Sequence, residues 1–249
     1  IFSFDLKSCD TGYIVIEATR NKGFNYAVEM FNDDYKNEVM ARKEKFRGYV
    51  EVNPEKGEIT GYNPEWHSFN IGPELKNFKG YFIIQIEQPF SIYGTWKDSI
   101  ISKEGIKDTG KCIGAYVGFT GLKTPVKMKI GTSFISIEQA RENLAKEIPE
   151  WDIEKVKNDV KAEWQKKLEV IRIKGTDDQK SIFYTGMYHA MLLPREFSEY
   201  GKYYSAFDDS IHNGISYNDY SLWDTYRALH PLLLFIAPER VPGMINSLL

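Results

Sequence analysis

Two hydrophobic periods divide the chain. Up to about Ile135, apolar residues come in short runs at residues 12–18, 26–30, 58–62, 81–86, 112–119 and 126–130. These runs are rich in β-branched and aromatic residues and are parted by Gly, Pro, Asn and Asp, the signature of strands joined by turns. Several alternate apolar with polar, which predicts one solvated face per sheet. No helix-length period separates them, so the expected fold is an antiparallel β-sandwich rather than a parallel sheet. The polar stretch 32–45 reads as a loop or short surface helix.

The period changes at Ser136. Ser136 and Gln139 have the spacing of a capping box, and Ile137, Ala140, Leu144 and Ile148 then share one helical face up to Pro149. A second helix is expected from near Asp152, where Val156, Val160, Trp164 and Leu168 recur every fourth residue between solvated charges. Thr176 with Gln179 forms a second capping-box signal, helped by Asp177 and Asp178 at the positive end of the helix dipole. That helix should run through Phe183, Met187 and Ala190 to Pro194. A loop is expected from Arg195 to Asp219, then a helix from Tyr220 that Pro231 kinks or ends, with His230 at its close. Another helix opens at Pro238. It is uncapped at Leu249, which predicts a segment of a longer protein, and its few apolar helices call for further partners or dimerisation.

Composition narrows the class. The 249 residues suffice for one large domain or two, and the net charge is only -3 with no basic block. Nucleic acid and anionic lipid surfaces are therefore disfavoured as partners. No apolar run reaches the roughly 20 residues of a membrane span, so membrane insertion is not expected. Ile1 is neither an initiator Met nor preceded by a charged leader, which leaves export open. Cys9 and Cys112 are too few for a disulfide framework and read as two buried thiols; a bridge would require their strands to be neighbours. His189, His212 and His230 lack the spacing of a zinc site, and no G-x-S-x-G, P-loop or dinucleotide fingerprint is present.

Candidate chemistry concentrates in the last third. Asp208, Asp209 and Asp219 lie in a Tyr-rich loop, followed by Trp223 and Asp224. Aromatic rings beside carboxylates suit a pyranose, whose C–H face packs on a ring while its hydroxyls bond to charged acceptors. A glycan is the first ligand class to consider. Asp208, Asp209 and Asp219 lack the spacing and Gly of a calcium loop and read as solvated acids. Asp224 can equally be an N-cap or first-turn acid of the helix running to Pro231, Trp223 a core residue, and Arg227 an intrahelical partner of Asp224.

The run Phe183-Tyr184-Thr185-Gly186-Met187-Tyr188-His189, Pro194-Arg195, Ser221-Leu222-Trp223-Asp224-Thr225-Tyr226-Arg227-Ala228-Leu229-His230-Pro231 and Pro238-Glu239-Arg240-Val241 resembles glycoside hydrolase family 92. Met244-Ile245-Asn246-Ser247-Leu248-Leu249 continues it. Those enzymes are calcium-dependent exo-α-mannosidases. The resemblance implies a β-sandwich over 1–135, incomplete at its N-terminus, a helical linker over 136–172, and over 173–249 the first helices of an (α/α)6 toroid. It implies that Trp223 and Asp224 line the subsite for the terminal mannose. The catalytic acid, the general base and most calcium ligands are implied to lie beyond Leu249, so no catalytic or metal residue is assigned within the segment.

Two functions follow as expectations. One is a segment of an inverting α-mannosidase, α-1,2 preferred, acting on N-glycans or mannan in the periplasm, at the cell surface or outside the cell. The other is a non-catalytic carbohydrate-binding or structural module.

Overall fold

The computed structural model describes residues 1–6, 10–19, 47–65 and 77–249. The expected strand at 26–30, the loop or helix at 32–45, and Cys9 with its pairing lie outside the described residues. Contacts divide the chain into two compact units, Ile1–Trp151 with Ala206–Ser210 and Asp152–Ser205 with Ile211–Leu249.

The first unit is built on two antiparallel sheets. Strands β1 (Phe2–Phe4), β3 (Gly48–Asn53), β4 (Glu58–Asn63), β5 (Gly80–Ile86), β8 (Lys107–Gly110) and β10 (Val126–Ser133) form one, in the order β1-β10-β5-β4-β3-β8. Strands β2 (Thr11–Thr19), β6 (Ile92–Lys97), β7 (Ile100–Lys103) and β9 (Ile113–Thr120) form the other, in the order β2-β9-β6-β7. Every second residue of these strands points into one shared core: Val50, Val52, Ile59, Ile84 and Met128 meet Ile14, Ile113, Ala115 and Val117. The sandwich is thus the burial of two alternating faces against each other. The period-2 runs foretold β2, β4, β5, β9 and β10. Among the strands they did not foretell, β7 and β8 end their sheets and carry little buried apolar surface.

One sheet face expected to be solvated is covered. Helix α1 (Ile137–Glu147) packs Ala140 and Leu144 on Ile83, the outward residue of β5. That is why β5 reads as a continuous apolar run: Ile84 and Ile86 serve the sandwich and Ile83 serves the helix. A Cβ on Gly131 would stand 2.6 Å from Leu144 Cβ, so glycine there lets the helix approach. Outward Lys129 is buried as well. Its ammonium donates to Ile148 O at 2.9 Å, at the end of α1, and lies 4.4 Å from the centroid of the Trp151 ring. Burial lowers its pKa, which Glu87 partly offsets. The capping box at Ser136 is half made. Ser136 Oγ accepts from Gln139 N at 3.0 Å, but the Gln139 side chain donates to Asn143 instead.

The second unit is helical with a β excursion. Helix α2 (Ile153–Leu168) is capped by Asp152, and α3 (Asp177–Ala190) starts with both halves of the Thr176–Gln179 box in place. Trp164 of α2 packs against Tyr188 of α3, ring centroids 4.6 Å apart and planes inclined at 58°. The stretch expected as a loop holds β11 (Arg195–Glu196) paired with β14 (Tyr217–Asn218), and a hairpin of β12 (Lys202–Ser205) and β13 (Ser210–Asn213). The helix expected from Tyr220 is two: α4 (Leu222–Thr225) and α5 (Leu229–Ile236). Pro231 sits in the first turn of α5, where its missing N–H has no partner to lose, so Pro231 and His230 begin a helix rather than end one. A 3-10 turn at Pro238–Arg240 leads into α6 (Val241–Asn246). Tyr217, Leu233, Ile236 and Met244 form the core of this end.

Candidate functional site

Ser221 adopts φ 41 and ψ 52, a left-handed conformation that turns the chain sharply out of β14 into the single turn of α4. Backbone and side chain then lock the turn. Asp224 N and Thr225 N donate to Ser221 O at 2.9 and 3.1 Å, and Thr225 Oγ1 donates to Tyr220 O at 2.7 Å. Thr225 Oγ1 also lies 2.9 Å from His230 Nε2, which ties α4 to α5, while Tyr220 Oη donates to Met244 O at 2.6 Å. Positions 220, 225 and 230 therefore build the scaffold.

Trp223 and Asp224 do not. Trp223 is 83% exposed, outside the cores that the described residues form. The Asp224 side chain is exposed and its carboxylate makes no hydrogen bond or ion pair among the described residues. Ser221 occupies the N-cap of α4 without a side-chain cap, and Ala228 that of α5, so Asp224 caps neither helix; it stands as the acid in the first turn of α4. Nor does Arg227 pair with it. The one-turn helix ends before Arg227, whose Nε donates to Tyr226 Oη at 2.9 Å with the guanidinium 5.3 Å from the centroid of that ring. What remains is an exposed indole next to an uncommitted carboxylate on a fixed turn, which can pack a sugar face and bond its hydroxyls.

The loop acids have other places. Asp219, with φ 65, accepts from Arg195 Nε at 2.5 Å and so is ion-paired rather than merely solvated. The pairing of Arg195 with Asp219 was not legible in the sequence, because a pair 24 residues apart leaves no periodic trace. Asp208 and Asp209 lie between β12 and β13, Asp209 in a left-handed conformation. His212 stacks on Tyr203 at 5.5 Å. Among the described residues no three His, Cys, Asp or Glu side chains converge on a point that could hold a metal. These residues do not fit a calcium site.

Comparison with known proteins supplies the class. The model of the glycosyl hydrolase family 92 N-terminal domain matches residues 1–133, and that of the family 92 catalytic domain matches residues 139–249. An inverting mannosidase of family GH92 from Bacteroides thetaiotaomicron superposes with a TM-score of 0.74 and 29% identity, covering 81% of this chain and 28% of its own. A family GH92 α-mannosidase from the same organism gives 0.71 and 26%, over 81% and 28%. A secreted glycosidase of Arthroderma benhamiae is 36% identical over 80 residues, 30% of this chain and 10% of that protein. The chain thus spans less than a third of the length of each. No helix among the described residues is long and apolar enough to cross a membrane.

Proposed function

Since the chain belongs to glycosyl hydrolase family 92, we propose that it is a segment of an exo-acting α-mannosidase that removes terminal mannose with inversion. N-glycans or mannan are the substrates of this proposal, and α-1,2 the preferred linkage. The observation that carries it in this chain is the pair Trp223 and Asp224, exposed neighbours on a locked turn, the carboxylate without a hydrogen bond or ion pair among the described residues. Trp223 offers its ring to the C–H face of the terminal sugar, and Asp224 accepts charge-assisted hydrogen bonds from its hydroxyls.

Inversion needs a carboxylic acid on the leaving oxygen and a carboxylate on the attacking water, about 6.5–9.5 Å apart. This chain's share of the work is to hold the sugar while groups elsewhere in the protein act on the bond. Calcium dependence is part of the proposal, with ligands other than the residues described above. Export, to the periplasm, cell surface or medium, is a further part, supported by the secreted fungal relative.

The test is hydrolysis of α-1,2-, α-1,3- and α-1,6-mannobiose by the whole protein, with the product followed by proton NMR. β-Mannose should form first, fastest from the α-1,2 disaccharide. Absence of mannose release, or α-mannose as first product, overturns the reading.

A further inference from the structure

We infer that the outer face of the four-stranded sheet β2-β9-β6-β7 is a glycan-binding surface, on which pyranose rings of a manno-oligosaccharide lie over Tyr13, Tyr116 and Trp96. The ligand class rests on the mannosidase reading; the surface itself rests on how these strands are built.

Inward residues of this sheet fill the sandwich core, so the alternate residues face out. Register places each outward aromatic beside a glycine of the neighbouring strand: Tyr13 beside Gly118, Tyr116 beside Gly94, and Trp96 beside Gly114. The rings lean across onto those glycines. A Cβ on Gly118 would stand 2.8 Å from Tyr13 Cε1, one on Gly94 2.7 Å from Tyr116 Cε1, and one on Gly114 2.5 Å from Trp96 Cε2. Each would push its ring up and away from the sheet. Glycine inside a strand weakens it and signals a close approach. At Gly118 the nearest atom approached belongs to the ring; at Gly94 and Gly114 a backbone carbonyl stands closer still, Ser102 O at 2.3 Å and Ile16 O at 2.0 Å, so glycine there serves both strand and ring.

The result is a face of low relief. Tyr13 is 53% exposed, Val15 66% and Ile101 64%, around an open cleft of about 860 Å³ rimmed by Asp98, Lys103 and Glu104. Tyr13 and Tyr116 stand 6.4 Å apart with their planes inclined at 57°, so they present two differently tilted platforms. Leaning aromatic rings with both signs of charge at the rim match a sugar, whose C–H faces pack on rings and whose hydroxyls both donate and accept.

The experiment is titration of linear α-manno-oligosaccharides, with gluco- and xylo-oligosaccharides beside them, into the full chain by NMR and calorimetry. Saturable binding of the manno-oligosaccharides is expected, weakened at least about fivefold by Tyr13→Ala, a change at an exposed position that spares the core. Gly118→Ala keeps every ring but lifts Tyr13, and should weaken binding likewise. The double variant Tyr13→Ala/Gly118→Ala removes the collision with the ring and leaves only the 3.0 Å approach to Ile92, so it should fold and still bind weakly. Binding indifferent to Tyr13→Ala, preference for the other sugars, or no binding overturns the inference. So does self-association that Tyr13→Ala abolishes, which would make a second copy the occupant. Mannose release by the whole protein without binding here would sink this surface alone. Binding here without release would sink the mannosidase reading alone.

Discussion

Asp224 is a residue at which folding and chemistry can be separated, because no hydrogen bond or ion pair among the described residues uses its carboxylate. Asp224→Asn in the whole protein keeps the shape and removes the charge. A charged hydrogen bond is worth about 1.5–3 kcal/mol, so turnover of an α-mannobiose should fall by at least about tenfold with an unchanged melting temperature. Unchanged kinetics would take Asp224 out of the site. Thr95 offers the converse case. It is fully buried and its hydroxyl has no hydrogen-bond partner among the described residues. Thr95→Val, nearly isosteric, should raise stability by about 1 kcal/mol in denaturant unfolding; a loss would show that the hydroxyl is satisfied after all. The Trp223-Asp224 pair was legible in the sequence as chemistry. That Asp224 caps nothing was not, because this depends on the left-handed backbone of Ser221, which a serine does not announce.

Among the elements, α1 is held to its sheet by an ion pair as well as by Leu144. Glu58 on β4 is buried and accepts from Arg141 of α1 at 2.5 Å and from Gln85 at 3.0 Å. Burial alone would raise the Glu58 pKa, yet the bonds from Arg141 and Gln85 and the nearby positive charges bring it below the ordinary carboxylate value. A carboxylate with a depressed folded-state pKa contributes stability above its unfolded pKa and loses it as pH falls through the folded value. Arg141→Ala should therefore cost roughly 1.5–3 kcal/mol at pH 7, and its gap to wild type should close as pH drops below 4.5, the ordinary value of the group. A gap that persists in acid would assign the loss to packing. The start of α1 was legible from Ser136 and its apolar face from Leu144. What it covers was not: Lys127 and Lys129 read as solvated until a helix end supplies carbonyls for the buried Lys129 amine. The strands within 195–219 escaped notice because they are short and polar, and α4 and α5 merged because apolar spacing does not register a left-handed residue.

For the whole molecule, the proposed mannosidase activity leaves its metal to experiment. Chelation should abolish mannose release by the whole protein and added calcium should restore it; activity indifferent to chelator would remove calcium from the proposal. The division at Ser136 was visible as a change of hydrophobic period, since sheets and helices bury their faces at different spacings. The contacts nevertheless keep α1 with the sandwich, up to Trp151. A period reports what an element is, and only packing reports what it joins. The glycines beneath Tyr13, Tyr116 and Trp96 carry this to the level of inheritance. Any missense change in a glycine codon adds a Cβ, and at Gly114 that atom would also fall 2.0 Å from Ile16 O. Mutation has no small step available at these positions, so this patch of the sandwich should drift far more slowly than the polar edge strands around it.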